Sequence, residues 1–166
     1  MTWLKKHYVA SLVAGHDAGW KFESLPDERL DAYASDLGAF IQATRRIGTI
    51  PVLATHASKF PPNAARDPAA MQSWERFYPR ATGNVIVSFD SAARVRTLAV
   101  ARDSNVAVID LQRVLADSVP LLFADHVHFT NRGAARVAGA LARGVIEALR
   151  RTGTVRCIPG AAPAQN

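Results

Sequence analysis

The sequence predicts an α/β fold with a parallel sheet, and three observations carry that expectation. Nearly continuous apolar runs stand at Tyr8–Ala14, Ile50–Ala54 and Val106–Leu111, as in strands buried on both faces. The segments around them place apolar residues at helical spacing. Strand-like and helix-like segments therefore alternate along the chain, which is the order of βαβ units.

Each element has its own local signals. Tyr8–Ala14 ends at Gly15, and Lys5-Lys6-His7 precede it. This resembles a leader peptide, but the run is short and continues into Gly15-His16-Asp17 without a small-x-small cleavage site, so a buried strand after a short basic helix is the better reading. A helix from about Asp27 to Ile47 follows, with Leu30, Tyr33, Leu37, Phe40, Ile41 and Ile47 on one stripe, Pro26 near its first turn and Gly48 closing it. Ile50–Ala54 begins with a proline at its second position, which suits the start of a strand.

His56 to Gly83 is a long excursion in which Asp67-Pro68 starts a helix and Met71, Trp74 and Phe77-Tyr78 follow at helical spacing. These aromatics read as core or as a flap over the sheet end. Val85-Ile86-Val87 is either a strand or the approach to a helix over Ala92–Arg102, with Asp90 or Ser91 as cap and Leu98 and Val100 inward. Val106–Leu111 is the third strand. Thr130 caps a last helix, Asn131–Arg151, in which Val137, Leu141, Val145 and Leu149 recur every four residues. Residues 1–151 thus read as one domain, and 152–166, rich in Gly, Pro, Ala and Gln, are expected to form a flexible tail.

Composition excludes several classes of function. At 166 residues the chain supports one core; 49% hydrophobic and 20% charged residues exclude a disordered or collagen-like chain. No run approaches the ~18 apolar residues of a membrane-spanning helix. A single cysteine, Cys157, leaves neither an internal disulfide nor a multi-thiolate zinc site. The net charge is +6, from 20 basic and 14 acidic residues, but the basic ones are scattered (Arg45-Arg46, Arg94, Arg96, Arg150-Arg151) and form no phosphate-tracking run. No nucleic-acid partner is expected. If Met1 is the true start, the chain is cytoplasmic.

The chemistry is concentrated in Leu122–Gly133, between the last strand and the last helix, where α/β enzymes carry catalytic loops. Asp125 and His128 are three residues apart, a spacing that in a tight turn lets the carboxylate accept a hydrogen bond from one imidazole nitrogen. The other nitrogen is then free to take a proton from a nucleophile. His126 and His128 also form a His-x-His pair that could bind zinc on an extended segment, with His56, His16 and Asp125 the only further ligands. His56, at a strand end, could line the cleft, but reads first as a capping or solvent-exposed residue. Arg76 and Arg80 read as solvated, and Trp3, Trp20 and Trp74 as core or flap residues.

Asp125-x-x-His128 followed by Phe129-Thr130-x-x-Gly133 resembles the last block of the SGNH (GDSL-type) serine hydrolases. Gly48–Thr55 is similar to that family's helix-to-strand passage, and Val106–Leu111 to its strand ending in Asp-Leu. The resemblance implies a flavodoxin-like, three-layer parallel sheet and ester hydrolysis without a cofactor or metal. In it Asp125 and His128 complete a Ser-His-Asp triad acting on a small-molecule ester.

The chain departs from the family in its other blocks. Neither the Gly-Asp-Ser nucleophile motif nor the second block is present, so the nucleophile is unassigned and the chain reads as an N-terminally truncated member. The third block, Gly-x-Asn-Asp in the family, reads Gly15-His16-Asp17-Ala18 here. Without a gap Asp17 takes the oxyanion-binding Asn slot; with a one-residue deletion His16 takes it. Phe89-Asp90-Ser91 imitates the nucleophile motif but lacks its glycine and reads as a helix cap.

Three functions follow from these readings: an esterase or lipase-like hydrolase, inactive if truncated; a degenerate, non-catalytic SGNH-like binding protein; and a zinc-dependent hydrolase. A truncated sheet would leave Tyr8–Ala14 as an unguarded apolar edge, so the isolated chain is expected to self-associate.

Overall fold

Acidic residues at the start of a helix and basic ones at its end oppose the helix dipole, and the first helix has both: Asp27 and Glu28, then Arg45 and Arg46. In the computed structural model, which describes residues 14–17, 19–60 and 68–153, this helix is α1, Asp27–Arg46. It ends in a Schellman motif: Gly48 N–H donates to the Arg45 carbonyl at 3.0 Å and Thr49 N–H to the Thr44 carbonyl at 3.3 Å. Gly48 stands at φ +74°, where a Cβ would be strained. Leu30 and Ile41 are buried, whereas Phe40 and Ile47 face solvent, so the buried stripe is narrower than the sequence spacing implied.

The chain then forms β1 (Val52–Ala54), α2 (Pro68–Phe77), α3 (Gly83–Asp103) and β2 (Ala107–Ile109). After β2 come α4 (Leu111–Leu115), a 3-10 turn (Ala116–Ser118), α5 (Val119–Leu122) and α6 (Asn131–Arg151). β1 and β2 pair in parallel, Val52 opposite Ala107, Leu53 opposite Val108 and Ala54 opposite Ile109.

The expected three-layer, flavodoxin-like parallel sheet is not what forms. Among the described residues the chain is mostly helical and its sheet has two strands of three residues each. The third expected strand, Tyr8–Ala14, lies outside the described residues except Ala14, which sits in a turn. The self-association drawn from that strand's edge lies outside them too. Of the expected flexible tail, 152–166, only Thr152 and Gly153 lie within them.

One further run was resolved in favour of helix. Val85-Ile86-Val87 belongs to the first turns of α3, because Thr82 Oγ1 accepts from Val85 N–H at 3.2 Å and caps a helix that starts at Gly83, nine residues before Ala92. Asp90 and Ser91 are therefore mid-helix residues and not caps. Ser91 Oγ donates back to the Val87 carbonyl at 2.9 Å.

Helix α6 has the expected bounds, and its burial follows a different stripe. Gly133, Ala140 and Ala148 are buried while Val145 is exposed. A four-residue step advances about 400° around a helix with 3.6 residues per turn, so side chains at that spacing drift off one face. Small residues take their place against the sheet: a Cβ on Gly144 would meet Ile109 Cδ1 at 2.6 Å. Val137 and Leu141 pack on the cluster of Ile109, Leu111, Leu115, Leu122 and Phe123. A second cluster, Phe60, Met71, Trp74 and Val87, joins α2 and α3 to the segment after β1. Among the described residues no helix is long and apolar enough to cross a membrane.

Candidate functional site

The loop Phe123–Phe129 is closed at its base. Phe123 and Phe129 form an isolated antiparallel bridge with their rings 5.0 Å apart. Ala124 N–H donates to the His128 carbonyl at 2.8 Å, and Thr130 N–H to the Leu122 carbonyl at 2.9 Å. Thr130 then caps α6, its Oγ1 accepting from Gly133 N–H at 3.1 Å and donating to the Leu121 carbonyl at 3.0 Å. A side chain at position 133 would overlap the Leu122 carbonyl, so glycine lets the helix start press against the end of α5, where the loop begins. Phe129-Thr130-x-x-Gly133 thus has a mechanical role: it anchors the loop.

Inside the loop Asp125 organises everything around itself. Its Oδ1 accepts from the backbone N–H of His128 at 2.8 Å and of Val127 at 3.0 Å. Its Oδ2 lies 2.7 Å from His128 Nδ1. An ionised carboxylate only accepts, so Nδ1 carries the proton, and in the neutral form of the ring Nε2 is the unprotonated nitrogen. The His128 N–H, then the Val127 N–H, then the imidazole hold the Asp125 carboxyl well below the usual carboxylate range. The His128 side chain is 76% exposed, so Nε2 is open to an incoming group. Among the described residues nothing hydrogen-bonds to it.

His126 is directed elsewhere. Its ring packs on Phe60 at 5.7 Å and on Trp74 at 5.4 Å, with a buried Nδ1 that has no partner among the described residues. The two histidines of the His-x-His pair diverge. Among the described residues no group of three or more His, Cys, Asp or Glu side chains could hold a metal ion.

Gly15, His16 and Asp17 form a separate feature. Gly15 takes φ +88° in a turn, and the His16 ring stacks on Trp20 at 4.0 Å. His16 and Asp17 line an open cavity of about 710 Å³ with Gly19–Ser24, beside which Arg80 lies over the Trp20 and Phe22 rings at 5.5 and 5.4 Å. Asp125 and His128 are not among its lining residues. The structure brings Asp125 and His128 together; among the described residues no hydrogen bond or ring contact joins residues 15–17 to them.

A second histidine–carboxylate pair escaped the sequence reading. His56, two residues after β1, places Nδ1 2.6 Å from Asp90 Oδ1. The hydrogen bond that His56 donates to Asp90 outweighs desolvation and raises its pKa above the ordinary histidine value. Nearby, Asp110 after β2 accepts from Arg94 Nε at 2.8 Å and Thr55 Oγ1 at 3.1 Å, and Arg94 chiefly holds its carboxyl low. The missed signal was spacing: Gly83, Val87, Asp90, Arg94, Thr97 and Ala101 fall at alternating steps of four and three, one face of a helix. A helix that began at Ala92 would leave Asp90 outside it, whereas the helix from Gly83 places Asp90 and Arg94 on one face. No family model, no curated protein and no solved structure matches this chain.

Proposed function

We propose that this chain carries the proton-transfer half of a serine-type acyl hydrolase acting on small-molecule esters, with His128 as general base and then acid and Asp125 as its orienting carboxylate. The observation that carries the reading is the 2.7 Å contact between Asp125 Oδ2 and His128 Nδ1 beside an exposed Nε2. Asp125 fixes the tautomer, and its charge stabilises the imidazolium formed when His128 takes a hydroxyl proton. The backbone bonds to Oδ1 keep the carboxylate ionised and in register with the ring. The resemblance of Asp125-x-x-His128-Phe129-Thr130-x-x-Gly133 to the closing block of the SGNH hydrolases supports the same chemistry.

A second reading, a non-catalytic SGNH-like binding protein, is favoured by two observations. Among the described residues no serine hydrogen-bonds to His128 Nε2, and the 15–17 turn is engaged with Trp20. Fluorophosphonate labelling with peptide mapping separates the two. It is run on the chain alone and with a strand segment bearing Gly-Asp-Ser supplied in trans. A labelled serine whose reactivity is lost in His128→Ala is the expected result. Absence of any labelled serine in both preparations favours the binding protein, and labelling that survives His128→Ala removes His128 from the mechanism.

A further inference from the structure

Charged side chains on the inward face of a helix need partners. On α3 the two such residues are Asp90 and Arg94, and both meet groups at the sheet end where β1 and β2 finish. Arg94 meets Asp110 and Asp90 meets His56. Because the carboxylate accepts, His56 Nδ1 is protonated and its Nε2 is turned away from Asp90. The His56 side chain is 56% exposed, and among the described residues Nε2 has no hydrogen-bond partner.

His56 also belongs to the same end of the fold as the Asp125–His128 loop. The segment leaving β1 is tied to that loop by Lys59 N–H donating to the His126 carbonyl at 2.9 Å and by Phe60 packing on the His126 ring. Two of the charged side chains at this end of the fold are engaged elsewhere. Arg94, one turn along α3, is paired with Asp110, and Asp125 is bound within its own loop; Lys59 follows on the same segment. Asp90 favours the charged imidazolium, in which Nε2–H is a charge-assisted donor.

We propose that His56, anchored by Asp90, is an oxyanion-binding residue that presents Nε2–H to an anionic oxygen of an acyl ligand or of its tetrahedral adduct. Assigning that oxygen to an acyl intermediate rests on the reading of His128 as base; anion binding at His56 does not. The two histidines then work in opposite protonation states: His128 neutral to accept a proton, His56 charged to donate a hydrogen bond. His56 is a binding residue that no serine-triad motif would have pointed to.

The test uses the chain labelled with ¹⁵N-histidine and follows imidazole NMR signals across pH with methylphosphonate or acetate added. Methylphosphonate stands for the tetrahedral adduct and acetate for the planar acyl anion. The His56 resonances should shift with at least one probe, and affinity should fall as pH rises through the His56 titration. Asp90→Asn should weaken binding by about tenfold, the scale of one charge-assisted hydrogen bond. His56→Gln, at an exposed position, should abolish it, and His128→Ala should leave it intact. Unmoved His56 signals with both probes overturn the proposal, as does unchanged affinity in folded His56→Gln. Serine labelling can fail while this binding persists, so the two readings fail separately.

Discussion

Gly133→Ala tests how the loop is held, because the added methyl has nowhere to go. Its Cβ would overlap the Leu122 carbonyl oxygen, stand 3.0 Å from the Leu122 carbonyl carbon and 3.2 Å from Phe129 Cβ. Two of these atoms are backbone, so relief requires the first turn of α6 to back away. That displacement breaks the bonds from Thr130 N–H to Leu122 and from Thr130 Oγ1 to Leu121. Overpacking costs roughly 1–3 kcal/mol. Two lost hydrogen bonds cost about 1 kcal/mol each, and alanine returns about 1 kcal/mol of helix propensity. The net loss is about 3 kcal/mol, equivalent to a melting temperature lower by roughly 10 °C for a domain of this size. Gly139→Ala is the control on the same helix: its Cβ meets only Arg143 Nη1, at 3.4 Å, so it should stabilise by about 0.5–1 kcal/mol. Urea unfolding followed by far-UV circular dichroism measures both. Equal effects for the two substitutions would refute the close approach of α6 to Leu122.

Two further changes probe the same anchor. Thr130→Ala removes the cap on Gly133 N–H and should cost about 1 kcal/mol in the same unfolding assay; a change near zero would mean the cap is not formed in solution. Asp125 has its folded-state pKa depressed, so its contribution to stability is complete above the unfolded value, about pH 4, and is lost as pH falls below it. Asp125→Asn should flatten that acid limb when urea midpoints are compared between pH 7 and pH 3; an unchanged acid slope would show that the Val127 and His128 N–H groups do not hold the carboxylate.

The features legible in the sequence are those formed between neighbours along the chain. Gly48 after α1, Thr130 before α6 and the contact between Asp125 and His128 each join groups no more than five residues apart, so local geometry determines them. The positions of β1 and β2 were likewise visible as apolar runs, although pairing shortened each to three residues. What only the tertiary structure decided depends on partners far away in sequence. Val85–Val87 is helix and not strand because Val85 and Val87 are buried there, Val87 against Phe60, Met71 and Trp74. The buried face of α6 is the small-residue face because Ile109 and the Leu122 carbonyl come too close for larger side chains. His56 and Asp90, thirty-four positions apart, meet because the end of β1 lies beside the inward face of α3. Local rules describe the backbone's choices one turn at a time, whereas the company a charged side chain keeps is settled by packing.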